Sequence, residues 1–312
     1  MSVQEGTDMT AIDGPKLERV VIGIDFSAPS VAAARWTREH FAPQASCVLV
    51  HALAVPKPPR FMRGEVATTT RAEMLKSARA GAEAQLERFL SGQNGDGLGV
   101  DVRDGRPEDV IAEAASESGA DVVVVGEHLH PRGIWGVLGS TAEALVRRGA
   151  IPVVLARNAP DHAPARILVA VDDSNPAGLA LQWACMLAQR FDAALTAFHV
   201  FRPIYLGAAR VLSGMEQSVR LEEEQLHQTE TWLSTCVREH SPDPSRVSVR
   251  IEHGDPAAAL VAAQRGGDFD MVVIGSRGAG GVGRMLLGSV ARSVMRGASC
   301  PVLVVSAHDD HA

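Results

Sequence analysis

The chain has 312 residues, of which 46% are hydrophobic and 21% charged, and its formal net charge is -7. The length favours two domains, and the composition is typical of globular proteins with full cores. The acid excess and the lack of a basic cluster argue against nucleic-acid binding, and no apolar run approaches the roughly 18 residues of a membrane span.

The first half of the chain alternates short apolar runs with longer polar segments. Residues 1–17 are polar and predict a flexible segment rather than a secretory signal, so we expect a cytoplasmic protein. A polar segment at 68–90 predicts a helix, and Pro107 stands where another helix would begin. The apolar runs predict five strands, at 20–24, 48–50, 100–103, 122–125 and 153–155.

The second half follows the same order after a short linker, 158–165, which contains two prolines. A polar segment at 211–239 predicts a helix, and Pro256 again stands at a helix start. Five apolar runs predict strands at 167–171, 195–199, 247–251, 272–274 and 302–305. In both halves, strands that alternate with helices predict a parallel sheet with right-handed crossovers.

The two halves form an internal repeat. The segment from Ile22 to Asp25 matches the segment from Val169 to Asp172 at an offset of 147 residues, and later glycines match at an offset of 149. The predicted boundaries are 18–157 for the first domain, 166–306 for the second and 307–312 for a C-terminal tail. The fifth strands are apolar, and exposed apolar edges invite pairing. We therefore expect these strands to join the domains in a pseudo-twofold arrangement.

A glycine-rich loop follows the fourth strand of the second half. Gly275 is followed after two residues by Gly278, and after nine more by Gly288-Ser289. Glycine lets a strand end turn sharply and lets main-chain N–H groups approach an anion closely. Gly288-Ser289 opens the final predicted helix, and helix N-termini attract phosphate. The pattern favours phosphate binding, although glycine-rich loops also serve simply to turn corners.

This loop resembles that of the universal stress protein family, whose ATP-binding members carry Gly-x2-Gly-x9-Gly-Ser/Thr. The resemblance covers both halves and implies an α/β fold of two Rossmann-like domains, each a five-stranded parallel sheet flanked by helices. It implies bound ATP, with magnesium as an optional companion. The implied contacts are Asp172 and Val200 to adenine, Gly275 to ribose, and Gly278, Gly288, Ser289 and Val290 to the phosphates. Without the resemblance, Asp172 at a strand end before Asp173-Ser174 is also explained by turn and helix-capping chemistry.

The first half departs from the loop pattern. Leu129 replaces the second glycine, and Glu127 adds a negative charge where phosphate would lie. The positions that remain suitable for a nucleotide are Asp25, Ala52, Gly126, Gly139, Ser140 and Thr141. This half either binds nucleotide more weakly than the second or serves only as a structural partner.

Other chemistries fit the sequence less well. The second half contains no lysine, which a Walker A loop requires. A Gly-x-Gly-x-x-Gly match at Gly278 follows the fourth strand rather than the first, so it does not indicate a dinucleotide fold. His128 and His130 supply too few ligands for a metal site, and the scattered cysteines include no C-x-x-C pair.

The most direct functional interpretation is a nucleotide-binding regulatory or sensor protein that acts in a stress response. A slow ATP hydrolase and an interaction scaffold with vestigial sites are the alternatives. The two halves are expected to pair with each other, and a homodimer and a regulatory protein partner are left open. The richness in alanine, glycine, valine and arginine suggests a bacterial source.

Overall fold

The computed structural model describes residues 14–55, 65–91, 98–127, 140–202, 215–278 and 287–307. In the first domain α1 continues into a π-helical turn, Thr37–Phe41. The other elements of this domain are, in chain order, β1 Arg19–Gly23, α1 Ala28–Trp36, β2 Ser46–Leu53, α2 Glu65–Ser91, β3 Leu98–Asp104, α3 Pro107–Ser118, β4 Val122–Gly126, α4 Ser140–Arg148 and β5 Val153–Ala156.

The second domain repeats this order of strands and helices. Its elements are β6 Arg166–Ala170, α5 Asn175–Phe191, β7 Ala194–Phe201, α6 Met215–His240, β8 Val247–His253, α7 Pro256–Arg265, β9 Met271–Gly275, α8 Ser289–Gly297 and β10 Val302–Val305. A short 3₁₀ turn, Pro244–Arg246, precedes β8. The first four residues of the predicted helix at 211–239 lie outside the described ranges.

Local sequence signals explain where several helices begin. Ser27 and Ser174 are the N-caps of α1 and α5, and each side chain accepts a hydrogen bond from a backbone N–H in the first turn. Pro107 and Pro256 are the first residues of α3 and α7, as predicted. Strand β2 is longer than the predicted run at 48–50, because its ladder with β3 extends to Leu53.

All ten strands of the described ranges form one continuous sheet, with the order β3-β2-β1-β4-β5-β10-β9-β6-β7-β8. Each domain contributes five parallel strands, as predicted, and the two sheets are joined edge to edge. The joint is an antiparallel ladder between β5 and β10. The prediction that the fifth strands pair is thus confirmed, because pairing satisfies two otherwise open edges.

The register of this ladder makes the joint nearly twofold symmetric. Val154 lies opposite Leu303, which is its own repeat equivalent 149 residues later. On either side, Val153 pairs with Val304 and Leu155 with Val302. A pseudo-twofold axis therefore passes between Val154 and Leu303.

Two apolar layers cover the two faces of the sheet, and both run through the two domains. In one layer the fully buried Phe41 stacks on Trp36, with ring centroids 4.9 Å apart. Phe41 also meets Phe191 of the second domain at 6.0 Å. The core is thus shared between the domains rather than divided at the linker.

Polar contacts hold the linker against both domains. Trp36 Nε1 donates a hydrogen bond to the His162 carbonyl at 3.2 Å. Asn158 Nδ2 donates to the Ser299 carbonyl at 3.1 Å, and Arg157 Nη1 donates to the carbonyls of Arg296 and Ala298 at 2.7 and 2.9 Å. These bonds fit the expectation that so short a linker keeps the domains packed together. Within the described ranges, no helix has the length and hydropathy of a membrane span.

Replacing Leu303 with alanine should destabilise the whole chain. Leu303 is fully buried at the centre of the joint, and a buried leucine truncation costs about 2–5 kcal/mol through lost burial and a new cavity. Urea unfolding monitored by circular dichroism would measure this free energy. Val249→Ala on edge strand β8, where Val249 is 42% exposed, is the control and should change little. Equal effects of the two changes would contradict the role assigned to the joint.

Candidate functional site

A cavity of about 440 Å³ lies at the carboxyl ends of β6, β7 and β9, and a volume of this size suits a small ligand. Ligands of open parallel sheets bind at this edge. All seven residues predicted for the second domain line it: Asp172, Val200, Gly275, Gly278, Gly288, Ser289 and Val290. The fold therefore brings together positions that are more than a hundred residues apart in the sequence.

Asp172 lies between the turn after β6 and the glycine loop. Its Oδ1 atom accepts hydrogen bonds from the backbone N–H of Ser174 at 3.2 Å and from the Ser174 hydroxyl at 2.5 Å. Ser174 in turn caps α5 by accepting from Ala177 N. The turn chemistry expected of Asp172 is thus present. Its second oxygen faces the loop, because a Cβ added at Gly278 would lie 2.5 Å from Oδ2.

Gly275 is required for a different reason from the sharp turn that the sequence suggested. A Cβ at this position would lie 2.9 Å from the carbonyl carbon of Pro176 and 3.1 Å from Ala177 N. Gly126 is equally crowded, since its Cβ would lie 2.7 Å from Ser30 N. Neither glycine has a positive φ. In each domain this glycine lets the end of the fourth strand pack against the first turn of a helix.

The N-terminus of α8 forms another wall of the cavity. Gly288 is the N-cap residue, and as a glycine it has no side chain with which to cap the first-turn N–H groups. Its own N–H donates to the Ser276 carbonyl at 2.8 Å, which ties the helix start to the end of β9. Ser289 and Val290 follow in the cavity wall. The intervening residues 279–286 lie outside the described ranges.

Several lining residues were not singled out from the sequence. Phe198, Leu260 and Ile274 make part of the wall apolar. His199 also lines the cavity, and its Nδ1 bonds to the Val171 carbonyl at 2.8 Å. The equivalent His51 makes the same bond to Ile24 at 2.7 Å. The two histidines occupy matching places in the repeat, 148 residues apart, but a sequence match of this kind does not show what the rings contact.

The first domain has a smaller cavity, about 280 Å³, at the equivalent place. Its lining includes five of the six predicted residues: Asp25, Ala52, Gly126, Ser140 and Thr141. The sixth, Gly139, lies outside the described ranges, as do Leu129, His128 and His130. Asp25 repeats the turn of the second domain, because its Oδ1 accepts from Ser27 N at 3.0 Å.

Glu127 does not stand as an isolated negative charge, which corrects the expectation from the sequence. It lines the first cavity, but Arg157 Nη2 lies 2.5 Å from its carboxylate. Both side chains are largely buried, at 19% and 12% exposed, so solvent screens the attraction only weakly. Burial lowers the pKa of Arg157, and the Glu127 carboxylate opposes that shift. The second domain has a buried serine, Ser276, at this position.

The cysteines are placed as ordinary core or half-buried residues. Cys47, Cys185 and Cys300 are buried, and Cys236 is half-buried. Burial raises the pKa of each thiol, and that of Cys300 reaches about 12. These groups are therefore protonated at neutral pH. Across the described ranges, no three His, Cys, Asp or Glu side chains gather as metal ligands would.

Comparison with known proteins agrees with the repeat and the fold. The profile of the universal stress protein family matches residues 16–157 and again residues 165–306. The chain belongs to the universal stress protein family. It is a tandem member, with one match for each five-stranded half of the sheet.

Several curated relatives are universal stress proteins of mycobacteria. One from Mycobacterium bovis is 33% identical over 64% of this chain and 65% of its own length. One from Mycolicibacterium smegmatis is 34% identical over 47% of this chain and 49% of its own length. The chain thus spans between half and two thirds of these relatives. A Mycobacterium tuberculosis universal stress protein is 28% identical over 91% of this chain and 95% of its own length.

Solved structures share the tandem architecture. A universal stress protein from Archaeoglobus fulgidus superposes with a TM-score of 0.59 at 20% identity, covering 96% of this chain and 99% of that one. A protein of unknown function from Pseudomonas aeruginosa gives a TM-score of 0.64 at 16% identity, covering 93% and 92%. At these identities the likeness establishes the fold alone.

Replacing Gly275 with alanine should destabilise the second domain. The new methyl group would meet the backbone of Pro176 and Ala177, which cannot rotate away, and overpacking of this kind costs about 1–3 kcal/mol. Gly81→Ala in the middle of α2 is the matched control, because nothing lies within 4 Å of its Cβ. That change should stabilise the helix by up to about 1 kcal/mol. Thermal unfolding of both variants would test the contrast, and a neutral Gly275→Ala would refute the packing role.

Proposed function

We propose that the second domain binds ATP and that the protein acts in the cytoplasm as a nucleotide-dependent regulator or sensor in a stress response. The observation that carries this proposal is the convergence of all seven predicted residues on one cavity. They come from four separate segments of the second domain. A loop that only turned a corner would not need matching partners on β6 and β7.

The glycine loop and α8 suit the phosphates. Gly278 presents a backbone with no side chain toward Asp172, and the uncapped first turn of α8 offers N–H groups and the positive end of a helix dipole. Arg277 lines the same cavity and adds positive charge. The Ser289 hydroxyl can donate a further hydrogen bond.

The apolar part of the cavity wall suits a purine base. Phe198, Leu260 and Val200 supply apolar surface, as small-ligand sites usually do. A carboxylate only accepts hydrogen bonds, so Asp172 can accept one from the exocyclic amino group of adenine. Magnesium, if it accompanies ATP, would take most of its ligands from phosphate and water, as this ion often does.

The first domain is proposed as the weaker site. Its cavity is smaller, and Glu127 and Leu129 occupy positions where the second domain has serine and glycine. Glu127, which lines this cavity, also pairs with Arg157, and Arg157 binds carbonyl groups of the second domain. If the first domain does bind nucleotide, Gly126, Gly139, Ser140 and Thr141 are the expected contacts.

Replacing Gly278 with aspartate should weaken ATP binding by about ten-fold or more, equivalent to about 1.4 kcal/mol. The new carboxylate would meet phosphate and also the carboxylate of Asp172. Isothermal titration calorimetry on the full chain would measure the affinity. The matched control is Leu129→Asp, at the equivalent position of the first domain, which should leave the tighter site unchanged. Unaltered affinity in a folded Gly278→Asp protein would refute the proposal.

ATP turnover should be slower than about one per second, which is the lower end of ordinary enzymatic rates. Fast phosphoryl transfer needs a positioned nucleophile and cations that favour the transition state, and the second domain contains no lysine. The Asp172 carboxylate accepts a hydrogen bond from the Ser174 hydroxyl. It is proposed to contact adenine, so it is not positioned to activate a nucleophile at the phosphates. Single-turnover hydrolysis of radiolabelled ATP with magnesium would measure the rate. Faster turnover that Gly278→Asp abolishes would identify a hydrolase instead.

A further inference from the structure

The joint between the domains places equivalent residues of the repeat opposite one another. Val154 faces Leu303 in the β5–β10 ladder. Beside the ladder, Glu143 on α4 forms an ion pair with Arg292 on α8, with 3.2 Å between Oε1 and Nη2. These two residues are also 149 positions apart, so they occupy the same place in the two domains.

Because Glu143 and Arg292 occupy the same place in the two domains, they form an attractive pair only when a first domain meets a second domain. Across a twofold axis, a residue at this place meets its own equivalent. Two first domains would therefore bring Glu143 against a second glutamate, and two second domains would bring Arg292 against a second arginine. Like charges in contact oppose association and suppress wrong partners.

The Glu143–Arg292 pair is partly shielded from solvent, which strengthens the interaction between its charges. The side chain of Glu143 is 20% exposed and that of Arg292 is 38% exposed, so both are partly shielded from water. The Nε atom of Arg292 is buried, and the described residues offer it no hydrogen-bond partner. Loss of the carboxylate would leave a partly buried cation with less compensation.

A second asymmetry crosses the same joint. Arg157 binds the carbonyls at the C-terminal end of α8, whereas its repeat equivalent is Ser306. Ser306 instead lies against Gly149 of the first domain, and a Cβ added at Gly149 would be 3.5 Å from the Cβ of Ser306. Two second domains placed together would lose the arginine bonds on both sides. The joint is thus symmetric in its backbone and unsymmetric in its side chains.

We propose that the surface formed by β5 and α4 is specific for the second domain of this chain and rejects another copy of itself, with Glu143 and Arg292 as the residues that determine this choice. Backbone pairing alone does not distinguish the domains, because the β5–β10 register is self-complementary. The charge pair supplies the distinction for both kinds of like pairing, whereas loss of the Arg157 contacts disfavours only the pairing of two second domains.

The test recreates the rejected contacts inside one full-length chain. Glu143→Arg puts arginine against arginine, as two second domains would, and Arg292→Glu puts glutamate against glutamate, as two first domains would. Hydrogen–deuterium exchange of Val153–Ala156 and Val302–Val305 reports opening of the joint. Each single variant should lose roughly three- to ten-fold of its protection there, and the double reversal should regain it to within about two-fold.

The control is an ion pair remote from the joint. Arg246 and Asp192 pair within the second domain, with side chains 52% and 89% exposed, so Arg246→Glu should leave exchange in β5 and β10 unchanged. Glu143→Gln and Arg292→Gln remove the attraction without adding repulsion, and they should give smaller losses than the reversals. These variants also serve if a reversal prevents folding. Wild-type protection in the single variants, or no recovery in the double reversal, would overturn the proposal.

Discussion

The antiparallel ladder between β5 and β10 is the contact on which the rest of the molecule depends. Each set of five parallel strands would otherwise end in an exposed apolar edge, and such edges associate or aggregate. The ladder joins both edges, and the apolar layers on the two faces of the sheet continue across it. The cores of the two domains are therefore continuous with each other.

Helix α8 connects the joint with the cavity of the second domain. Its first residues, Ser289 and Val290, line the cavity, while Arg292 meets Glu143 of the first domain. At its other end, carbonyl groups accept hydrogen bonds from Arg157. One helix thus has its N-terminus in the proposed phosphate site and its remaining length fixed by the neighbouring domain. A site built on a helix held in this way is better pre-organised than one built on a loop.

The two domains have diverged in what they do with the same architecture. The second has Gly278 in the wall of its cavity, and the residue after β9 is the buried Ser276. The first places Glu127 at the equivalent of Ser276 and uses it to hold Arg157, which then secures the joint. Glu127 therefore lines the first cavity and also holds Arg157, which contacts the second domain. Fold similarity alone would not reveal this difference, because function depends on the site.

The sequence by itself determined the order of strands and helices, the repeat, the family, the pairing of the fifth strands and seven of the residues that line the second cavity. These features are written in local patterns, namely β-branched runs, the spacing of glycines and proline at helix starts. Only the tertiary structure decided the register of the β5–β10 ladder, the need for Gly275 in helix packing, the bond from His199 to the end of β6, and the pairing of Glu127 with Arg157. Those outcomes depend on which distant residues meet, and strand register and ion pairing between distant segments leave no periodic trace in a single sequence.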